Sequence, residues 1–505
     1  MRKLTILVTL ILLIQPTLLW AQTNSQTKQP LVFTHVTIID ATGVVAKPDM
    51  TVVIKEGRIA EISKSNKVKL PNNAQIVDAT GKFLIPGLWD MHVHWTLKEY
   101  LPLFTANGVT GMRIMWGFPV HQQWRKQIAD GTLLGPRLNI SSTIIDGPKP
   151  IWQGSIGVGN EAQGRQAVIK SKQEGADFIK VYSLLPRDVY FGIVDKAKKQ
   201  GISFAGHVPE SISAAEASDA GQKSIEHLTG ILLASSSDEK ALRDEMLKTA
   251  ITAERTASNL IRRQTNVKAL NSYDKKKASA LFARFKKNQT WLVPTLTVLR
   301  STAYMDDPNF TNDSRLKYMP SSFRARWNPE SDVRFKTHTA EDWANAKRLY
   351  AKYLEITGEA RRAGVEILAG TDVSNPFCFP GFSLHDELVL LVKAGLTPME
   401  ALQAATRNPA KYLGQLDSLG TVEKGKIADL VLLDANPLVE ISNTQKINAV
   451  VVGGKLVPKS QLDEMLANVE VIADKPSPAQ KQDFLINGKW KQGSKNVIIE
   501  IFLRT

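Results

Sequence analysis

The chain of 505 residues has a single cysteine, Cys378, so no disulfide can form within it. Its fold has to be held by apolar burial, which a chain of this length can supply without cross-links. Long hydrophobic runs are missing beyond residue 19, which excludes a multi-span membrane protein. No internal repeat or low-complexity block interrupts the sequence, and a hydrophobic content of 43% gives no sign of general disorder. A basic stripe with interleaved aromatics is also missing. The formal net charge is +15, but lysine and arginine are dispersed through helical stretches among acidic residues. That pattern excludes a nucleic-acid partner and fits a solvated basic surface.

The N-terminal segment stands apart from the rest. Met1-Arg2-Lys3 is basic, Leu4 to Leu19 is almost wholly apolar, and Ala21 precedes the polar run Gln22-Thr23-Asn24-Ser25-Gln26. This order predicts a cleaved secretory signal over residues 1–21 and an exported protein, periplasmic or secreted. Gln15 and Pro16 interrupt the run and leave it short for a span, so no stable membrane segment is expected after cleavage.

Two short-strand regions bracket the middle of the chain. Residues 31–84 include a hairpin signal, Glu56-Gly57, between Thr51–Lys55 and Arg58–Ile62. Residues 418–460 include the apolar runs 428–434 and 449–452. Neither can bury a core alone, so together they predict one small β-sandwich domain. Residues 85–417 alternate strand and helix signals about eight times. Strands are expected at 88–94, 109–114, 137–142, 178–182, 202–207, 224–227, 291–295 and 366–371. That repetition predicts an α/β fold, a (β/α)8 TIM-like barrel, which typically needs ~250 residues. Two overlong intervals, near 230–290 and 300–340, read as helical insertions over the active face, or as packing on the flank or a homo-oligomer contact. Residues 461–505 read as a linker and C-terminal tail, with a weak edge strand at 496–504.

The chemistry concentrates at strand ends. In Pro86-Gly87-Leu88-Trp89-Asp90-Met91-His92-Val93-His94, residues two apart project to one side, so His92 and His94 form a ready pair of metal ligands. His207, His227 and Asp372 each close a later strand. A barrel opens all its C-terminal strand ends onto one face, so these residues converge there. Each alone has a plainer reading, as a hydrogen-bonded histidine or a helix cap. Four of the eight histidines at strand ends are hard to explain that way. Lys180 sits among apolar neighbours in Phe178-Ile179-Lys180-Val181-Tyr182. Burial there demands a salt bridge or a neutral amine, and a neutral amine can add carbon dioxide to give a carbamate. Tyr182, on the same side of that strand, is a candidate substrate contact or a packing residue. Cys378 reads as a buried thiol.

These motifs resemble the amidohydrolase superfamily, on the branch of imidazolonepropionase-like and prolidase-like (Xaa-dipeptidase-like) enzymes. The matching stretches run from about Ile85 to Asn436. They include Pro-Gly-Leu-Trp-Asp-Met-His92-Val-His94, Phe-Ile-Lys180-Val-Tyr182, Gly-His207-Val, Ser-Ile-Glu-His227-Leu and Ala-Gly-Thr-Asp372. Leu-His385-Asp-Glu-Leu and Gly425-Lys-Ile-Ala-Asp-Leu430 continue the match.

The resemblance implies two divalent cations, zinc first among several candidates. His92, His94 and Asp372 would hold one and His207 and His227 the other, with carboxylated Lys180 bridging them. It further implies attack of a metal-bound hydroxide on a C–N bond of a small-molecule substrate, with Asp372 carrying the proton to the leaving amine. A dipeptidase-like or N-acyl amino acid hydrolase is the reading this supports. A cyclic amide or lactone hydrolase, or a non-catalytic metal-binding barrel, are the alternatives. His385 would lie near the site. Two departures put the substrate in doubt: Arg113-Ile114-Met115-Trp116 replaces an Arg-Asp, and Ile145–Trp152 replaces a loop that carries glycine and histidine.

Overall fold

The computed structural model describes residues 29–250 and 255–475. The expected signal segment and the expected tail strand at 496–504 lie outside the described residues.

Five strands precede the middle of the chain: β1 (Leu31–Ile38), β2 (Lys47–Lys55), β3 (Arg58–Lys64), β4 (Gln75–Asp78) and β5 (Phe83–Pro86). Nine more occupy the middle: β6 (Leu88–Val93), β7 (Val109–Ile114), β8 (Arg137–Ile140), β9 (Ile145–Asp146), β10 (Ile156–Gly157), β11 (Phe178–Val181), β12 (Ser203–Gly206), β13 (Ser224–Glu226) and β14 (Trp291–Val293). Three follow: β15 (Leu430–Leu433), β16 (Ile447–Val452) and β17 (Lys455–Pro458).

The flanking strands form one eight-stranded sheet in the order β17-β16-β15-β5-β1-β2-β3, with β4 beside β1. The flanks expected to build one small β-sandwich domain pair here as a single hydrogen-bonded sheet. The physical reason is the antiparallel β5–β15 ladder, from Pro86–Leu430 to Phe83–Leu433, which runs the two halves together edge to edge. Its apolar face buries Phe33, Val52, Ile59, Leu84, Leu430 and Val451 in one cluster.

The middle strands pair only in parallel, as β6-β7-β8 and β10-β9-β11-β12-β13-β14. Parallel strands buried on both faces read as continuous apolar runs, and β6, β7 and β11 are buried along their whole length. Neither sheet closes on itself. Single parallel bridges stand at the gaps, at Ser141–Phe178, Leu292–Ile367 and Val93–Val373. The expected strand at 366–371 is not a regular one. Its backbone nonetheless bonds to both neighbours, from Leu368 N to Leu292 O at 2.9 Å and from Asp372 N to His92 O at 2.9 Å.

Between β13 and β14 lie helices Ile231–Ala234, Glu239–Ala250, Arg255–Asn271 and Lys275–Asn288. After β14, helix Leu296–Tyr304 and then short helical turns and coil lead to the long helix Ala340–Arg362. At the C-terminal side the expected linker is corrected. Lys459–Asp474 is a helix that buries Leu462, Val469 and Ala473. Those positions, seven and four apart, make one helical stripe. The stripe packs on helix Leu101–Ala106, and Lys317 pairs with Glu470 at 2.8 Å.

Candidate functional site

The residues expected at strand ends meet. His92 and His94 end β6, Lys180 lies within β11, His207 follows β12, His227 follows β13, and Asp372 follows the segment bonded to β14 and β6. His92 Nε2 is 3.1 Å from His94 Nε2, and Asp372 Oδ1 lies 3.3 Å from the first and 3.1 Å from the second. Ligand atoms of His92, His227 and Asp372 all fall within 4.8 Å of one another. The His207 and His227 rings stand edge to face with centroids 5.0 Å apart.

Local backbone choices make this convergence possible. His227 and Asp372 have positive φ, 56° and 60°, so each swings out of its strand's alternation toward the shared face. Left-handed conformations are uncommon outside glycine, although His and Asp adopt them more readily than most, and they concentrate at functional sites. Gly206 precedes His207 at φ 140°, where a Cβ would meet the Val181 carbonyl at 2.1 Å. Gly370 lets the Asp372 segment approach β6, because a Cβ there would lie 2.9 Å from His92 Cβ.

Three of the four histidines are oriented from behind. His92 Nδ1 lies 2.7 Å from Glu226 Oε2. An ionised carboxylate only accepts, so Nδ1 carries the proton and Nε2 presents a lone pair to the cluster. His227 Nδ1 is 2.6 Å from Thr295 Oγ1, which itself donates to the Pro294 carbonyl, so this histidine also keeps its proton on Nδ1. His207 Nδ1 pairs with Ser183 Oγ at 2.8 Å. Burial and the charge of Lys180 hold His92 and His207 well below the ordinary imidazole range, so both are neutral and available as ligands.

Lys180 faces the same cluster. It is fully buried and its Nζ has no hydrogen-bond partner among the described residues. Burial pulls its pKa down to about 8, against the opposing pull of the Glu226 and Asp372 charges. Tyr182 stacks on His207 with centroids 4.0 Å apart, and its hydroxyl accepts from Trp152 Nε1 at 2.7 Å. Trp152 belongs to the second departing segment, and Trp116, from the first, stands edge-on to His94 with centroids 6.1 Å apart.

His385 is placed elsewhere, a correction to its expected position near the site. It is buried in helix Phe382–Lys393, with Nε2 on the Asn107 carbonyl at 3.1 Å and Nδ1 beside the Thr444 hydroxyl at 3.0 Å. The helix turns it toward the small domain, where it links three segments.

Two residues behind the site escaped the sequence reading. Arg113 and Glu226 are both fully buried, and Arg113 Nη2 lies 2.9 Å from each Glu226 oxygen. Arg113 also donates to the Met91 carbonyl at 2.7 Å and to Ser224 Oγ and Tyr412 OH at 3.0 Å each. The signal was an arginine inside the apolar strand β7, which calls for a buried acid. Its partner comes from β13, which no spacing in the sequence reveals.

The cluster fits a metal by its own electrostatics. Two imidazole nitrogens and a carboxylate oxygen point at one another at 3.1–3.3 Å. Two imidazoles and a carboxylate gathered at this distance are a donor set suited to a divalent cation. Among the described residues, Asp372 Oδ1 and Lys180 Nζ are buried polar atoms with no hydrogen-bond partner, as ligand atoms of a metal would be.

Known proteins share this frame. The segment matching imidazolonepropionase of Geobacillus kaustophilus is 36% identical over 110 residues, 20% of this chain and 25% of that one. Matches to the first curated relatives span only 21% and 25% of their lengths. Among solved structures, bottromycin amidohydrolase superposes with a TM-score of 0.69 at 24% identity, covering 88% of this chain and 90% of that one. A Xaa-Pro dipeptidase with bound methionine in its active site superposes at 0.61 with 20% identity, covering 85% and 100%. Likeness at this level shows a shared fold. The sequence pattern of the amidohydrolase family itself runs through residues 83–457, from the β5 strand to the end of the small sheet, and the chain belongs to that family.

Proposed function

We propose that the protein is a metal-dependent hydrolase of carbon–nitrogen bonds in small molecules, dipeptidase-like or acting on N-acyl amino acids. The observation that carries this is the meeting of four histidines, Asp372 and a buried lysine without a hydrogen-bond partner on one face of a parallel α/β frame. The three single bridges and the bonds of residues 367–373 to β14 and β6 support reading that frame as an eight-membered barrel. The leader, outside the described residues, supports export. No described helix is long and apolar enough to cross a membrane.

His92, His94 and Asp372 would hold one divalent cation, and His207 and His227 a second. Their nitrogen and oxygen donors suit zinc first, then manganese, iron or cobalt. Lys180 would bridge as a carbamate. Its neutral amine adds carbon dioxide with formation of an N–C bond and loss of one proton, and burial favours the neutral amine that reacts. Divalent cations in such a site lower the pKa of water and polarise a substrate carbonyl.

The remaining work falls to the chain. Asp372, with Oδ1 turned to the histidine pair, takes the proton of the attacking water and hands it to the leaving nitrogen. Asn375 donates to Asp372 Oδ2 at 2.8 Å and so holds the carboxylate with Oδ1 toward the histidine pair. The Tyr182 hydroxyl accepts from Trp152 and keeps its own hydrogen to donate to the substrate oxygen. Glu226 and Arg113 keep His92 in the ligating tautomer.

The test is a library of dipeptides and N-acyl amino acids presented to metal-loaded protein. Hydrolysis that chelation abolishes and metal restores is expected. Protein that holds no metal after expression in metal-supplemented medium would overturn the proposal.

A further inference from the structure

Arg334 lies in the irregular stretch before helix Ala340–Arg362, and the chemistry above does not use it. Its Nε and Nη2 donate to the Asp332 carboxylate at 2.7–3.1 Å, which clamps one edge of the guanidinium. Nη1 donates to Asn375 Oδ1 at 3.0 Å, and Asn375 donates in turn to Asp372 Oδ2 at 2.8 Å. The cation therefore stands one side chain away from the proposed proton carrier. The Arg334 side chain is 28% exposed. A guanidinium has five N–H donors, and these contacts use three of them. One hydrogen on each Nη remains without a partner among the described residues.

The opposite side of the histidine cluster is aromatic. Tyr182 stacks on His207, Trp152 bonds to Tyr182, and Trp116 lies against His94 in a cluster with Phe118 and Ile144. Tyr182 and Trp152 follow β11 and β9, whereas Asp372 follows the segment bonded to β14 and Arg334 lies in the stretch between β14 and that segment. The site thus presents the Asp332-paired guanidinium of Arg334 on the Asp372 side and aromatic rings on the His207 side.

We propose that Arg334 binds a free carboxylate on the amine side of the scissile amide, with the acyl group directed toward Trp152 and Tyr182. The proposal rests on the hydrolase reading and adds an orientation to it. Asp372 must reach the leaving nitrogen, and in an N-acyl amino acid or a dipeptide that nitrogen is separated from its carboxylate by a single carbon. The group that recognises the carboxylate must therefore flank Asp372, as Arg334 does. A planar fork already clamped on one edge gives up little freedom when its remaining donors engage a second carboxylate.

The test uses metal-loaded protein and an uncleavable pair of probes, N-(3-phenylpropyl)glycine and its carboxamide, with affinities measured by calorimetry. Wild type should bind the acid at least 10-fold more tightly than the carboxamide, the discrimination typical of a charge-assisted pair. Arg334→Met should weaken the acid about 10-fold or more and the carboxamide less than about 3-fold, and Arg334→Lys should keep part of the preference. Equal binding of both probes by wild type, or equal weakening of both in Arg334→Met, overturns the proposal. Cleavage of N-(3-phenylpropanoyl)glycine is followed separately. An Arg334-dependent preference without cleavage would leave this assignment standing and remove the hydrolase reading.

Discussion

Glu226 offers the sharpest test of how the site is held. Its carboxylate sits between two demands, accepting from His92 Nδ1 at 2.7 Å and from Arg113 Nη2 at 2.9 Å, with both residues of the ion pair fully buried. Glu226→Gln leaves Arg113 as an uncompensated buried charge, a loss of about 3–5 kcal/mol of stability. Arg113→Met strands the carboxylate and should cost a similar amount. The double variant removes both charges, so its loss should fall short of the sum by about 3 kcal/mol or more. A second effect concerns the metal. If the new amide turns its oxygen to Arg113, its NH2 faces His92 Nδ1 and forces the ring proton onto Nε2, which spoils the ligand. Loss of such an orienting partner typically lowers metal affinity about 10–100-fold. Urea unfolding of metal-free protein measures the first effect, and competition with a chelator measures the second. Additivity of the two single variants within about 0.5 kcal/mol would refute the coupling. Unchanged metal affinity in Glu226→Gln would refute the tautomer argument.

The other expectations can be set out briefly. Asp372→Asn should lower turnover by about 10²–10⁴-fold with the fold intact, and wild-type turnover in a metal-replete preparation would rule out its proton-carrying role. Lys180→Ala should lose activity that short-chain carboxylic acids plus metal partly restore, measured as turnover against acid concentration. Loss of the fold instead would assign Lys180 a structural role. Burial lowers the His385 pKa from 6.5 to about 4, so the folded state resists a proton that the unfolded chain accepts. That contribution is present above pH 6.5 and is lost as pH falls toward 4, about 3 kcal/mol in all. Urea midpoints measured across this window should therefore fall for wild type, and a His385→Gln variant should show a shallower fall.

The sequence made the site visible because its groups sit at strand ends, where a two-residue period and a parallel frame fix their direction. His92 and His94 needed only alternation, and His207, His227 and Asp372 needed only the common face. What supports them was not visible, because Glu226 and Arg113 come from β13 and β7 and meet only across the frame. His385 misled for the opposite reason. It is near Asp372 along the chain, but its helix turns it toward Asn107 and Thr444. Helix Lys459–Asp474 was masked by the proline-rich stretch that follows it, although Leu462, Val469 and Ala473 already spelled its buried stripe.

The ladder that joins Phe83 to Leu433 carries a consequence for assembly. The strand leading into the His92 segment finishes pairing only when almost all of the described chain has been made. A nascent or truncated chain ending before β15 would leave the β5 edge, and the buried face around Leu84, open to stray pairing with other chains. Loop closure over such a distance is slow to nucleate, so maturation should depend on keeping early intermediates apart until the last strands arrive. The strands from Leu430 onward thereby act as a checkpoint, since the sheet and the segment it leads into are complete only once they have paired.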